Sequence, residues 1–366
     1  MKVHVPKKTL AETLAHVERI IPSRSSNPGL SLLRIDTTAE GIELSGSNMD
    51  IDIRSRFTAD TEGEGSYALP AHVFSQVVRA LPGDVVEMEF DDKELDLASD
   101  TFATKLQLMA PSSAPELSFP AELEGGLDAA ALVKALTSVR YAAAVADYQA
   151  VFRGVKLEFG ASTTRAVATD GFRLAYYHVE TSSGLEGDVV VPARSVDELA
   201  RIVTEGEVEL GLSEGQLSVH SGPFSLNLKL MEGTFPDYER IIPQTFSVSV
   251  TVDAPKLSEA VSRVALMADK TANNRVDLFV KDGSLQITAE GSYGRSQESM
   301  DVLQEGTDPE IALAYNAKYL VDALGPVAGD VRLSFSGGGP ASSPPSVLAD
   351  LGDPSYLAMV VPLRTG

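Results

Sequence analysis

The chain has 366 residues, five histidines, no cysteine and a formal net charge of −22. Without cysteine, disulfides and thiolate metal sites are excluded, and no run of 18 apolar residues is available to span a membrane as a helix. Residues 1–8 lack the apolar core of a signal peptide, so the chain reads as soluble and cytoplasmic.

The first element is a helix, because Leu10, Leu14 and Val17 recur at the 3.6-residue period. Ala68–Phe74 opens a second amphipathic stretch, and Asp84–Phe90 then alternates apolar and polar residues as a strand does. The same order returns twice. Leu132, Leu136 and Val139 repeat the first helix at an offset of 122, and Leu257, Val261 and Val264 repeat it after a further 125. Val190–Val196 and Ala312–Lys318 repeat the second marker, while Glu207–Leu212 and Asp330–Phe335 repeat the third. The spacing predicts six helices, at 7–19, 71–80, 130–140, 193–203, 255–264 and 315–324. Joints rich in Pro and acidic residues at Pro111–Gly126 and Phe235–Pro243 divide the chain into three copies, 1–120, 121–246 and 247–366. The expected fold class is α+β, each copy laying two helices on one face of antiparallel sheets built from both of its halves. Gly337–Pro345 is a loop by composition.

Charge is distributed unevenly. The six helices hold eleven Lys/Arg against six Asp/Glu, a net of +5, which leaves −27 for strands and loops. This pattern has two readings: ordinary solvated helix faces, or a basic helical surface inside an acidic shell. Repeated modules placed edge to edge form arcs or rings. Six helices about 10 Å apart nearly fill the circle they make, whereas twelve leave an opening of about 28 Å. Two chains joined head to tail by two-fold symmetry supply twelve, enough to admit a nucleic-acid duplex.

Catalytic chemistry is scarce. The chain contains no Gly-Lys pair and hence no P-loop, and the five histidines fall at no metal-ligand spacing. Gly211, Ser213 and Gly215 fit a nucleophile elbow, but alternating residues on both sides make this a hairpin turn. No enzyme activity, metal or cofactor is expected.

Three passages are more specific: Thr169–Leu174 after a strand, Phe235–Pro243 at the second joint, and the tail Met359–Arg364. In this order, on a threefold repeat, the chain resembles the bacterial β sliding clamp family, the processivity subunits of DNA polymerase III. The resemblance covers the whole chain. It implies a homodimeric ring around double-stranded DNA and a pocket between the second and third domains. That pocket takes short peptide motifs of the polymerase catalytic subunit, of clamp-loader subunits, and of other polymerases and repair proteins. By motif, its walls are Phe152, Thr169, Gly171, Phe172, Arg173 and Leu174 from the middle domain. Pro236, Arg240 and Ile241 come from the joint, and Asn316, Tyr319, Met359, Val360, Val361, Pro362, Leu363 and Arg364 from the last domain. Leu174, Ile241, Val360 and Leu363 offer an apolar slot, with Arg173 and Arg364 at its rim.

The resemblance also implies DNA contacts at Arg24, Arg79, Arg194 and Arg201, made to phosphates without sequence preference. It places Phe102, Leu266 and Met267 at the dimer joint, their alternative being burial within their own domains. Three departures stand out. Phe172 replaces a frequent His, Ala146 stands where the resemblance implies a DNA-contacting Gln, and Thr365 and Gly366 extend the usual end. The competing function is a DNA-independent acidic scaffold for protein partners.

Overall fold

The computed structural model describes residues 1–145, 150–336 and 344–364. Ala146, Thr365, Gly366 and residues 337–343 of the glycine-rich loop lie outside them. Six α-helices are present among the described residues: Lys7–Ile20 (α1), Ala71–Ala80 (α2), Ala129–Arg140 (α3), Ala193–Ile202 (α4), Ala254–Val264 (α5) and Ala317–Leu324 (α6). Each lies within two residues of its expected bounds. Their buried stripes are those the period marks: α1 buries Leu10, Leu14 and Val17, and α5 buries Leu257, Val261 and Val264. The helix starts are set locally. Extended prolines precede α1 and α2, while the Asp253 and Asn316 side chains accept the backbone N–H groups of Lys256 and Lys318 at the starts of α5 and α6. None of these helices is long and apolar enough to cross a membrane.

The chain forms two compact units. The first comprises residues 1–130, 183–185 and 197–230, and the second comprises 131–182, 186–196 and the described chain from 231 onward. The first contains a five-stranded and an eight-stranded sheet, and the second a nine-stranded and a four-stranded sheet. Every strand pairing is antiparallel among the described residues.

The sheets correct one expectation. They are not confined to single copies but run across copy boundaries. In the eight-stranded sheet, Ile51–Phe57 of the first copy pairs with Phe224–Lys229 of the middle copy, Ile53 facing Leu226. In the nine-stranded sheet, Arg173–Val179 of the middle copy pairs with Tyr356–Val360 of the last, Ala175 facing Ala358. Period-two alternation marks which face of a strand is buried, but it carries no information about the neighbour at its edge.

The two fusions occur at equivalent places. In the first, the ladder runs Ile35–Leu44–Ser55–Phe224. In the second, it runs Leu157–Ala166–Tyr177–Tyr356. The third set, Leu278–Ile287–Glu298, ends at Gly294–Asp301, the last strand of the four-stranded sheet. The strand equivalent to Phe224–Lys229 and Tyr356–Val360 is Phe102–Gln107, which ends the five-stranded sheet.

Candidate functional site

The Thr169–Leu174 segment is a hairpin turn held by its own side chains. Asp170 Oδ1 accepts from the backbone N–H groups of Phe172 at 2.9 Å and Arg173 at 3.0 Å. Thr169 Oγ1 donates to the Arg173 carbonyl at 2.7 Å and accepts from Gly171 N at 3.1 Å. Gly171 has φ of +89°, a left-handed conformation in which a side chain is strained, which explains glycine at this position. The turn thrusts Phe172 outward, leaving it 61% exposed, while its carbonyl accepts from Val361 N at 2.9 Å. The tail is then tied on by Leu363 N, which donates to the Ala314 carbonyl at 2.7 Å.

Arg173 is not at an open rim. It is 5% exposed, and its guanidinium bonds Asp170 at 2.9 Å and Asp322 of α6 at 2.5 Å. It also lies over the Tyr319 ring, 4.5 Å from the centroid. A buried cation needs carboxylate partners, and these hold it inside the protein, where it fastens the turn to α6. Leu174, Met359, Val360 and Pro362 are likewise buried, whereas Arg364 is exposed and Val361 and Leu363 are half-buried. The slot expected from Leu174 and Val360 is therefore part of the core, and the accessible apolar groups are Phe172, Ile241 and Leu363.

Phe152 belongs to a buried cluster with Leu174, Phe235, Tyr238 and Met359. Phe235 meets Phe152 and Tyr238 edge to face, with centroids 6.4 and 6.5 Å apart. Tyr238 Oη donates to Glu158 at 2.8 Å and accepts from Arg165 at 2.7 Å, which pins the joint to the sheet. Pro236, Arg240 and Ile241 stay exposed on that joint, Arg240 paired with Asp237 at 2.7 Å. Arg240 and Ile241 line an open groove of about 520 Å³ with Phe246 and Pro345. Asn316 caps α6, and Tyr319 follows one turn on, its phenol pushed up by burial. The sequence reading missed Asp170, Asp322 and the aromatic anchors Phe235 and Tyr238. The latter pair carried a usable signal, since aromatic side chains in a joint rich in Pro and charged residues are candidates for anchoring it to a core.

Phe102, Leu266 and Met267 are all exposed, so burial in their own domains is ruled out. Phe102 heads the terminal strand, and Leu266 and Met267 sit in the 3₁₀ turn Ala265–Met267 that follows α5.

The cationic candidates fall into two kinds. Arg24 and Arg194 are exposed, with no ion pair among the described residues. Arg79 is paired with Glu18, and Arg201 with Glu198 at 3.3 Å. Burial pushes the Glu18 carboxyl up, but hydrogen bonds from Ser75 and His72 and the charge of Arg79 outweigh it and hold the group below the ordinary carboxylate range.

No cluster of metal-ligating side chains occurs among the described residues. Ser213 faces Gln216 across a two-residue turn whose Gly215 has φ of +74°, the hairpin expected there rather than a nucleophile elbow.

Three family models match consecutive parts of the chain: the N-terminal domain of the DNA polymerase III beta subunit over residues 1–118, its central domain over 126–237 and its C-terminal domain over 239–364. The chain is 29% identical to the beta sliding clamp of Caulobacter vibrioides and 27% identical to that of Pseudomonas putida, both over the full length of each chain. Crystal structures of the sliding clamps of Bacillus subtilis and of Pseudomonas aeruginosa bound to griselimycin are each 25% identical with a TM-score of 0.93, again covering both chains completely.

Proposed function

The chain belongs to the DNA polymerase III beta subunit family, and on that premise we propose that two copies close into a ring through two sheet edges that are unpaired among the described residues of each copy. Members of this family are sliding clamps, processivity factors without catalytic activity of their own. Family membership also disfavours a DNA-independent scaffold.

One observation carries the mode of closure. Two of three equivalent edge pairs are fused within the chain, at Ser55–Phe224 and Tyr177–Tyr356. The third pair consists of Gly294–Asp301 and Phe102–Gln107, which end two different sheets. Joining them between two copies by a two-fold axis repeats the in-chain ladder and satisfies both rows of backbone groups. Glu298 then faces Phe102, beside the exposed Leu266 and Met267. Each copy contributes three domains, 1–120, 121–246 and 247–366, and six helices. Twelve helices at ordinary spacing enclose about 28 Å, room for duplex DNA.

Arg24, Arg79, Arg194 and Arg201 supply phosphate contacts without base readout. Two of these four already share their charge with carboxylates, which supports a weak and mobile grip. A closed ring holds by topology and slides, and it leaves only at a DNA end or through opening by a loader. Phe172, Ile241, Leu363 and Arg364 form the accessible part of a site for aliphatic or aromatic anchors of partner peptides, including those of the polymerase catalytic subunit and clamp loader. Arg173, Asp170 and Asp322 hold that site in shape. The protein acts in the cytoplasm, where replication takes place.

The test is retention after loading onto circular duplex DNA in high salt. Retention lost on linearisation is expected; equal loss from circular and linear DNA contradicts encirclement.

A further inference from the structure

We propose that Glu18 and Glu198 set how weakly the helices grip DNA, by holding three arginines in partial neutralisation. This rests on the DNA-encircling reading above and adds two residues that do not themselves touch DNA. Glu18, near the end of α1, accepts from Ser75 Oγ of α2 at 2.6 Å, is 2.6 Å from His72 Nδ1, and pairs with Arg79. Its neighbour Arg19 makes a two-pronged bond to Glu198 of α4, at 3.0 and 3.2 Å, and Glu198 also meets Arg201 at 3.3 Å. The end of α1 is thus a hub, reaching α2 through an acid and α4 through a base.

The exposures give the hub its character. The Glu18 and Glu198 side chains are only 13% and 12% exposed, while those of Arg79, Arg19 and Arg201 are 51%, 48% and 51% exposed. Carboxylates lie underneath and guanidiniums face solvent. A phosphate meets cations first, but each cation has already spent N–H groups and charge on a carboxylate. Arg79 and Glu18 cancel, and Arg19 with Arg201 retain one positive charge against Glu198. The helices therefore present donors to DNA at a lower net charge than their arginine content implies. A protein that must slide needs many shallow contacts, and weakening each arginine from beneath provides them without removing the donors. Glu18 and Glu198 are positioning residues in this scheme.

The salt dependence of affinity for a short linear duplex tests this, because it counts the phosphates neutralised. Glu18→Gln and Glu198→Gln are each expected to tighten binding and to steepen the slope of log K against log salt by about 0.9. Glu18→Asp and Glu198→Asp, which keep the charge, are expected to return the wild-type slope. Unchanged slopes overturn the proposal. So does weaker binding by the Gln variants, which would make the carboxylates struts that aim the arginines. The two sites are independent readings, so misfolding of one Gln variant, seen as a lowered melting temperature, leaves the other to decide. Wild-type protein that neither binds the duplex at low salt nor stays on circular DNA would sink the encircling reading itself. Normal wild-type binding with unchanged variant slopes removes only the role of the glutamates.

Discussion

The two in-chain sheet fusions are copies of one backbone device with different side chains. At the first, Asn48 Oδ1 accepts from Asp50 N at 3.0 Å and Ile51 N at 2.8 Å, as Asp170 does from Phe172 and Arg173 at the second. The central residue is left-handed in both, Met49 at φ +76° and Gly171 at +89°. The carbonyl that follows accepts from the incoming strand at 2.9 Å in both, from Lys229 N to Asp50 and from Val361 N to Phe172. The contrast lies one residue further on. Ile51 is an apolar core residue, whereas Arg173 is clamped by Asp170, Asp322 and Tyr319. The repeated backbone supplies an exposed turn twice, and the buried ion cluster ties only the second turn to a helix. What distinguishes the second turn is added to the repeat rather than inherited from it.

The proposed third fusion, between two copies, is where this comparison breaks most completely if it is wrong. The in-chain register sets Ser225 opposite Arg54 and Leu357 opposite Tyr176, so Ala103 falls opposite Gln297. The chain has no cysteine, so Ala103→Cys combined with Gln297→Cys adds the only thiols. Oxidation is expected to convert most of this variant to a covalent dimer on a denaturing gel, with neither single variant doing so. Exclusive recovery of single chains would remove the proposed edge pairing.

Arg173→Ala should separate the two turns next. It leaves Asp170 and Asp322 without their guanidinium, a loss of about 3–5 kcal/mol for a broken buried pair. Thermal unfolding should fall accordingly, and binding of a polymerase-derived peptide should be lost. Ile51→Ala should cost a comparable ~2–5 kcal/mol as a core cavity yet leave peptide affinity intact in protein that remains folded. Equal losses of peptide binding in both variants would mean the second turn has no special role.

The smallest effects concern the exposed tips. Phe172→Ala should leave the melting temperature unchanged and weaken peptide binding by at least ~1 kcal/mol, about fivefold, by titration calorimetry. Met49→Gly should relieve the left-handed strain and stabilise by about 1 kcal/mol in denaturant titration, with no change in peptide binding. Met49 is 68% exposed, so little packing opposes that gain.

The helices were legible in the sequence because Leu10, Leu14 and Val17 and their repeats obey a local period, and the Ser213 hairpin because its flanks alternate. Sheet sharing was not legible, since Ile53 and Leu226 lie far apart in the chain and alternation names no partner. Arg173 was legible as a site residue by resemblance, but not as a strut, because its second carboxylate lies 149 residues away. Glu18 and Glu198 looked like ordinary helix-face acids, and only their depth beneath three guanidiniums distinguishes them. Phe102 and Leu266 were ambiguous between core and joint, and their exposure removes the core reading.

In the proposed assembly one chain leaves a ring unfinished and a second completes it. Light scattering at micromolar concentration measures this directly. The expected mass is twice the 38.8 kDa of the single chain, and a species that remains at 38.8 kDa would contradict closure by two copies.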